Sequence, residues 1–417
     1  MKEPAKMTVG PLTGIKIIEC STWGFGPIGG MMLGDLGADI IKIESPTRPD
    51  AARHVLNIAG IDNHMPGDRS ALFATVNRNK RSLALDLKTP KGQEVFKELI
   101  KDTDIFLENY RPGVFDKMGL GYDVLSKINP ALIYAATAGY GFKGEEAHKP
   151  ALDAVGQARS GFMYTMGAPG DPPNWNTMGV ADVMGAGMLA YGMLAAIAAR
   201  ELQGGKGQRV EVSHIMANMW LSYWGIAVSM LKGYEDWPRF DRKSAGNPLW
   251  NLYECGDGEW IMLGIVEYDR HWAGFCDVAE LGDVVADPRF ADLDTLGKDS
   301  NAVELVALLD EAFARENREV WEDRLARNPD LIFTRVQHIG DLPTDPAVLA
   351  NDYLVDHEHK HFGTIKMLSH PVNLTETPAT IRCDAPDLGE HSADVLKERL
   401  GYDDEQIAEL VIEGVVA

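Results

Sequence analysis

The chain has 417 residues, which is long enough for two domains. Hydrophobic residues make up 45% of the sequence and charged residues 24%, as in an ordinary globular protein. The formal net charge of −22 argues against nucleic acid or an anionic membrane as the main partner. The amino terminus lacks an apolar secretory segment, and the four scattered cysteines contain no CxxC pair. We therefore expect a cytoplasmic protein without a nucleic-acid or membrane partner.

Strands and helices alternate through the first half of the chain. The clearest helix begins with Thr89 as N-cap and Pro90 at the first helical position. Apolar, β-rich runs predict strands at 15–18, 39–43, 82–85, 104–107, 132–135 and 209–212. This alternation is typical of a parallel sheet that is covered by helices on both faces.

The pattern changes near residue 235. Two β runs within 252–263 flank an Asp-Gly pair and predict a hairpin. Helical spacing follows at 302–326, and a last helix is predicted near 404–414. We predict an α/β protein with a large Rossmann-like, doubly wound domain and a smaller inserted α+β domain. The predicted bounds are 1–225 for the large domain, 226–330 for the small one, and 331–417 for a linker and a return to the large domain.

A glycine-rich turn follows the first predicted strand. Residues 24–29 match GxGxxG, and Glu44 ends the next strand, where a ribose-binding acid would lie. Pro27, however, removes one backbone N–H from the turn, and the bulky Trp23 and Phe25 flank the approach to its backbone. The residues favour a tight strand-to-helix turn that contacts some other ligand, with a dinucleotide site as the alternative.

A single carboxylate precedes a long neutral stretch. Asp182 is the last charge before 183–199, which is short for a transmembrane helix and contains glycines that suggest close packing. Free N–H groups and the dipole at a helix amino terminus favour an ionised carboxylate. An oriented, desolvated carboxylate is a competent nucleophile, whereas the ordinary alternative is a capping aspartate.

Several motifs occur in an order that resembles the family III coenzyme A transferases, which include formyl-CoA transferase, carnitine CoA-transferase and the α-methylacyl-CoA racemases. The motifs are PLTGIKI at 11–17, LGDLGADIIKIE at 33–44, NKRSLALDLK at 79–88, ENYRPG at 108–113 and GVAD at 179–182. The resemblance covers nearly the whole chain. It implies that Asp182 attacks an acyl-CoA to form a mixed anhydride. The released CoA thiolate then forms an aspartyl-CoA thioester, and an acceptor acid finally takes the CoA.

The resemblance also implies where CoA binds. Family positions that line the CoA site are matched by Leu85, Lys88, Asn109, Tyr110 and Lys117, and we add the turn residues Trp23, Gly24 and Phe25. Three cations, Arg78, Lys80 and Arg81, stand out in an acidic protein and suit the CoA phosphates, although a solvated loop is the alternative.

Gly24 departs from the family pattern. The formyl-CoA transferase branch carries a glutamine at the matching position, near the reacting carboxylate. Without that side chain, backbone N–H groups or another residue must stabilise the oxyanion. The departure casts doubt on formyl or oxalyl substrates, and Trp23 and Trp175 suggest an apolar wall for a bulkier acid.

The racemase branch supplies the alternative chemistry. It needs a His and an Asp on opposite faces of the substrate, and Asp153 matches the Asp. No histidine lies between His64 and His148, where the other member of the pair is expected. We therefore predict a CoA transferase, with a racemase or epimerase, or a non-catalytic CoA- or dinucleotide-binding protein, as alternatives. The resemblance further implies an interlocked homodimer, CoA thioester as substrate rather than resident cofactor, a carboxylic acid co-substrate and no metal.

Overall fold

The computed structural model describes residues 10–417 and divides the chain into two compact units. The first unit comprises 10–163, 175–235 and 352–417, and the second comprises 164–174 and 236–351. The insertion therefore starts at 236 rather than 226 and continues to 351 rather than 330. It is longer than predicted because a third strand, at 333–335, pairs with the hairpin of the second unit.

Strands alternate with helices along the amino-terminal half of the chain. Residues 10–165 contain β1 (Lys16–Cys20), α1 (Phe25–Asp35), β2 (Asp39–Glu44), β3 (Asn57–Ile58), β4 (Ile61–Asp62), β5 (His64–Met65), β6 (Arg69–Ser70), α2 (Ala71–Val76), β7 (Lys80–Ala84), α3 (Pro90–Ile100), β8 (Ile105–Glu108), α4 (Val114–Lys117), α5 (Tyr122–Ile128), β9 (Ile133–Ala138), α6 (Asp153–Arg159) and α7 (Phe162–Thr165). Residues 180–232 contain α8 (Val180–Leu202), β10 (Arg209–Ser213), α9 (His214–Leu221) and α10 (Tyr223–Lys232).

The remaining elements lie in the second unit and in the return to the first. They are β11 (Trp250–Glu254), β12 (Trp260–Gly264), α11 (Tyr268–Val278), α12 (Gly282–Val285), α13 (Leu293–Leu296), α14 (Asn301–Phe313), α15 (Arg318–Leu325), β13 (Phe333–Arg335), α16 (Pro346–Ala350), β14 (Leu354–His359), β15 (Gly363–Leu368), α17 (Ser392–Leu400) and α18 (Asp404–Ile412). Short 3-10 helices lie at Ala51–His54, Arg242–Ser244, Pro288–Phe290 and Ile339–Thr344.

A six-stranded parallel sheet organises the first unit. Its strand order is β10-β9-β8-β1-β2-β7, so the chain builds one half outward from β1 and then crosses to build the other half from β8. This is the strand order of dinucleotide-binding folds, in which ligands bind beyond the carboxyl ends of the strands near the β1–β8 crossover. The predicted strands of the first half are these six.

Both faces of this sheet are buried. In β1, Ile18 faces a core that also contains Phe106 of β8, whereas the neighbouring Ile17 faces a second core with Ile105. Because successive side chains of a strand point to opposite faces, strands buried on both sides are mostly apolar, and a buried charge within them, such as Lys42, must be paired. This explains why these strands are recognisable as largely apolar runs.

The second unit contains a three-stranded antiparallel sheet, β11-β12-β13. The hairpin predicted at 252–263 is present as β11 and β12. The single helix predicted at 302–326 is instead two helices, α14 and α15. The chain breaks between them, because Trp321 folds back to stack on Phe313 at 4.2 Å between ring centroids. In a continuous helix these two residues would lie about 12 Å apart along the axis, too far for their rings to stack.

Helix α8 carries Asp182 in its first turn. It is 23 residues long and apolar enough to span a membrane by composition, yet it packs within the first unit against α1 and β10. Glycines permit this close packing: a Cβ at Gly185 would lie 2.7 Å from the ring of Phe25, and one at Gly29 would lie 2.8 Å from Leu189.

Candidate active site

Asp182 lies in the first turn of α8, which begins at Val180 after the left-handed Gly179. Its Oδ1 is 2.6 Å from Nε2 of His214. Its Oδ2 faces Gly24, because a Cβ built on that glycine would lie only 2.5 Å from Oδ2. The side chain is 20% exposed, so the carboxylate is largely enclosed but still reachable. The two carboxylate oxygens therefore occupy different environments.

His214 is the first residue of α9 and directly follows β10. Its ring packs against Phe25 at 4.5 Å between centroids, and the residue is 7% exposed. Gly156 makes room for it, since a Cβ there would lie 2.7 Å from the Cβ of His214. While Nε2 contacts Asp182, Nδ1 is buried and has no hydrogen-bond partner among residues 10–417. The imidazole is thus fixed by packing and directed at the carboxylate.

Asp153 positions the amino terminus of α8. Its Oδ1 accepts hydrogen bonds from the backbone N–H groups of Ala181 and Asp182, at 2.6 and 3.1 Å. Its Oδ2 accepts one from Gln157 Nε2 at 2.5 Å. A carboxylate from another helix thus caps α8, satisfying N–H groups that have no partner within the helix. Both oxygens of Asp153 are engaged in holding Asp182 in place.

The turn that contacts Asp182 is fixed from two sides. Thr22 and Asn109 exchange two hydrogen bonds between the backbone of the former and the side-chain amide of the latter. Trp23 adopts a left-handed conformation with φ of +66°, and its N–H donates to Asp50 Oδ1 at 3.0 Å. These contacts hold a strained residue in place and set the position of Gly24.

A network of buried charged side chains holds the backbone of this turn. Lys42 donates to the carbonyl of Ser21 at 2.7 Å and pairs with Asp50 and Glu19. Lys80 contacts the same Glu19 at 2.9 Å and the carbonyl of Pro27 at 2.8 Å. Burial lowers the pKa of Lys80 to about 8, although Glu19 opposes the shift. Charges buried in this way are tolerated only when paired, so the network fixes both flanks of the turn.

Asp182 and His214 lie in a cleft of about 620 Å³ at the carboxyl edge of the sheet. The turns after β1, β8 and β9 line it, as this fold class predicts. Trp23, Phe25, Leu152 and Val155 supply apolar surface, whereas Arg111 and Lys149 supply positive charge; the full lining is Thr22, Trp23, Phe25, Asn109, Tyr110, Arg111, Pro112, Thr137, Ala138, Gly139, Lys149, Pro150, Ala151, Leu152, Ala154, Val155, Asp182 and His214.

The two cations of the cleft differ in availability. Lys149 pairs with Glu146 at 2.6 Å, whereas Arg111 is exposed and has no ion-pair partner within the part of the chain that the structure describes. Glu108, the last residue of β8, is buried, and burial raises its pKa to about 8. Arg111 is therefore the cation of this cleft that is free to meet an anion.

The structure brings several predicted site residues together. Trp23, Phe25, Asn109 and Tyr110 line the cleft that contains Asp182. Gly24 lies directly against the carboxylate of Asp182. Trp175, proposed as part of an apolar wall, is half-exposed and does not line this cleft.

The cationic cluster lies elsewhere. Arg78 is buried in a bidentate contact with Asp35, and Lys80 belongs to the network under the turn. Arg81 pairs with Asp39 and Glu398. All three precede or begin β7, at the amino end of the sheet, opposite the cleft. The expectation that these cations approach the CoA phosphates therefore needs correction: carboxylates of the same chain already occupy them.

The other residues that were predicted to contact CoA differ in their exposure to solvent. Leu85 is fully buried and bridges to Val416 in the core, so it supports the fold. Lys88, in the turn after β7, and Lys117, at the end of α4, are exposed and have no ion-pair partner among the described residues. They do not line the cleft but remain free cations.

His214, Arg111 and Lys149 line the cleft but were not predicted as site residues. The signal for His214 was its place immediately after the last strand of the parallel sheet, at the edge where ligands bind. The signal for Arg111 was its position directly after Asn109 and Tyr110.

The chain is similar to known proteins over nearly its whole length. Residues 12–392 match the model of CoA-transferase family III. The chain belongs to this family. It is 31% identical to the (R)-2-hydroxy-4-methylpentanoate CoA-transferase of Clostridioides difficile over 95% of this chain and 97% of that one. It is 30% identical to the human succinyl-CoA:glutarate CoA-transferase over 97% of this chain and 90% of that one.

A solved structure is similar over nearly the whole length. A CAIB/BAIF family protein from Brucella suis superimposes with a TM-score of 0.80 at 25% identity, covering 94% of this chain and all of that one. The resemblance found in the sequence is thus confirmed, and the chain is a member of an enzyme family whose named relatives are CoA-transferases.

Proposed function

We propose that this CoA-transferase moves coenzyme A from an acyl-CoA to a carboxylic acid by covalent catalysis at Asp182. The observation that carries the proposal is the placement of this carboxylate: enclosed, held by His214 at 2.6 Å, and opening onto a cleft at the carboxyl edge of the sheet. An aspartate that only capped α8 would use its own oxygens for backbone N–H groups. Here Asp153 performs that task, which leaves the oxygens of Asp182 for chemistry.

The chemistry follows in four bond exchanges. Asp182 attacks the thioester carbon, and CoA leaves as the thiolate from a mixed anhydride. The thiolate attacks Cγ of Asp182, and the donor acid departs with the bridging oxygen. The acceptor carboxylate then displaces the thiolate from Cγ, forming a second anhydride. The thiolate finally attacks the acceptor's acyl carbon, regenerating the carboxylate of Asp182.

Positive charge near the cleft supports CoA as the ligand. Arg111 lies in the cleft, and Lys88 and Lys117 are exposed in the segments that follow the carboxyl ends of β7 and β8. CoA carries a pyrophosphate and a 3′-phosphate, which cations bind by charge-assisted hydrogen bonds. CoA thioester is accordingly a substrate that binds and leaves rather than a resident cofactor.

Racemisation is less well supported by the geometry. A racemase needs an acid and a base on opposite sides of a carbon atom. His214 and Asp182 are in direct contact, with no room for a carbon between them. Asp153, the match to the racemase aspartate, has both oxygens bound to groups of the chain itself.

The cleft favours an acid with an apolar chain. Trp23, Phe25, Leu152 and Val155 line it, and Lys149 is already paired. The relative from Clostridioides difficile is named for a branched hydroxy acid of this kind, whereas the human relative is named for two dicarboxylic acids. We rank 4-methylpentanoate-type and aromatic acids above succinate and glutarate as acceptors.

A second copy of the chain is part of the proposal. Helices α9 and α10 expose large apolar side chains, among them Trp220, Trp224, Met230 and Leu231. Exposed apolar area of this extent marks an interaction surface. An interlocked homodimer, as the family resemblance implied, would cover it, and light scattering at micromolar concentration would detect the dimer mass.

The test of function is a transferase assay with a matched variant. Purified protein is incubated with a panel of acyl-CoAs and acceptor acids, and product CoA esters are quantified. Asp182→Asn keeps the shape of the side chain but removes the nucleophile, so transfer should fall by at least about 10⁴-fold. Transfer that survives this substitution refutes the proposal. Deuterium incorporation at the α-carbon without any acceptor acid would support racemisation instead.

A further inference from the structure

The two oxygens of Asp182 are distinguishable, and this difference gives them separate roles. Oδ1 is bound to Nε2 of His214, whereas Oδ2 lies against Gly24 and occupies the room that a side chain there would take. An oxygen that is already hydrogen-bonded is the poorer nucleophile, and the free one is the better. Bond formation with the acyl group therefore takes place at Oδ2.

The surroundings of His214 fix which of its nitrogens carries the proton. Nδ1 is buried in a ring that packs against Phe25, and it has no partner among residues 10–417. A proton on Nδ1 would leave a buried N–H donor unsatisfied, which is unfavourable because that group gives up its hydrogen bonds to water. Nε2, in contrast, has a carboxylate oxygen at 2.6 Å, which requires a donor. Nε2 is therefore the ring nitrogen that donates to the carboxylate.

Resting on the proposed function, we infer that His214 is the hydrogen-bond donor that stabilises negative charge on Oδ1 during attack at the aspartyl carbon. This group takes the place of the side chain that Gly24 lacks. Oδ1 remains on Asp182 through the anhydride and the thioester as the carbonyl oxygen. A donor placed on that oxygen in the resting enzyme is already in position when charge develops there.

Thioester formation at Cγ needs only this donor. The CoA thiolate bonds to Cγ of Asp182, and the electron pair of the carbonyl bond moves onto Oδ1, which His214 Nε2–H stabilises. The carbonyl bond then re-forms as the Cγ–Oδ2 bond breaks, and the donor acid leaves as a carboxylate. No proton is transferred, so a histidine that only donates is sufficient.

Two nearly isosteric variants isolate this hydrogen bond. His214→Gln places an amide N–H near the position of Nε2, whereas His214→Met has a similar length and no donor. Both lose the aromatic contact with Phe25 to the same degree. We expect His214→Gln to retain kcat within about tenfold and His214→Met to lose about 10²–10³-fold, the usual effect of removing one oxyanion donor. KM for acyl-CoA should be similar in the two variants.

The decisive readout is the rate at which the aspartyl-CoA thioester forms in a single turnover, followed by intact-protein mass spectrometry. If wild type forms the adduct and the Gln and Met variants form it equally fast, the inference is refuted while the proposed function stands. If wild type forms no adduct on Asp182, the proposed function itself fails.

A measurement on the wild-type protein covers the case in which neither variant folds. Nitrogen-15 NMR of protein labelled at histidine distinguishes protonated from bare ring nitrogens. We expect His214 to show a proton on Nε2. A bare Nε2, with the proton on Nδ1 alone, would overturn the assignment of His214 as the donor to Oδ1.

Discussion

Replacing Gly24 by alanine tests the site with the smallest possible change. The backbone at Gly24 has φ of −104° and ψ of −57°, a conformation that alanine adopts without strain. The added methyl group would lie 2.5 Å from Asp182 Oδ2 and 3.1 Å from its Cγ. An ordinary contact requires at least 3.4 Å, so the carboxylate must retreat by roughly 0.9 Å. The substitution thus perturbs the nucleophile rather than the chain.

The expected loss follows from that displacement. A misplacement of about 1 Å in a reacting group costs on the order of 10² in rate. We therefore expect kcat of Gly24→Ala to fall about 100-fold, equivalent to about 2.7 kcal/mol of activation free energy. The affinity for CoA should change little, since the cations near the cleft are untouched. Initial rates of CoA ester formation at saturating acyl-CoA measure kcat, and calorimetry measures CoA binding.

Gly187→Ala is the matched control. This glycine lies on α8, the helix that carries Asp182, and a Cβ there meets nothing within 4 Å. The change should leave kcat within about twofold and stabilise the protein by about 0.5–1 kcal/mol, as expected for alanine in a helix. A Gly24→Ala enzyme with wild-type kcat would refute the placement of Asp182 against this turn.

Three further substitutions test the supporting residues. The free energy of unfolding of wild type should fall as pH rises from 4.5 to about 8, and Glu108→Gln should not show this fall. Urea unfolding across that pH range measures the difference. Asp153→Asn retains an acceptor for the amino terminus of α8, so transferase activity should stay within about tenfold of wild type, whereas loss of a general acid or base would cost at least about 10²-fold. Arg111→Gln should raise KM for acyl-CoA about tenfold at unchanged kcat and weaken its dependence on salt, as expected for a lost phosphate contact.

The sign of the Glu108 effect follows from its raised pKa. Between pH 4.5 and about 8 the unfolded chain has lost the proton and the folded protein still holds it. The stability contributed by this group is therefore complete below pH 4.5 and falls as pH rises, by at most about 1.4 kcal/mol per unit. Parallel stability profiles of wild type and Glu108→Gln would contradict this expectation.

Two results would contradict the activity predictions. A large loss of transfer in Asp153→Asn, with unchanged melting temperature, would place Asp153 in the chemistry. An unchanged KM in Arg111→Gln would remove that cation from the CoA site.

The parallel sheet could be predicted because its strands are buried on both faces. The strands at 39–43 and 104–107 each contain three large apolar residues, and that pattern is local to the sequence. The end of the inserted unit could not be predicted in this way. It depends on β13, a strand of three residues whose only distinguishing feature is its pairing with β12.

The candidate site was predicted where its signals are local. Asp182 follows a helix start that is visible in the sequence, and Asn109 lies in a family motif. His214 was missed because its contact with Asp182 spans 32 residues and depends on α9 lying beside α8. The cluster at 78–81 was misinterpreted for the same reason, since Asp35, Asp39 and Glu19 neutralise it from 42 to 61 positions away.

The most direct measurement of the central claim follows an oxygen atom. Enzyme is mixed with acyl-CoA and an acceptor acid labelled with ¹⁸O in its carboxylate, and the peptide that holds Asp182 is analysed after a single turnover. Covalent catalysis transfers one acceptor oxygen to the aspartate, so the peptide should gain about 2 Da while the labelled acid becomes its CoA ester. Formation of that ester with an unlabelled Asp182 would show that the carboxylate never becomes covalent, and would contradict the proposed mechanism.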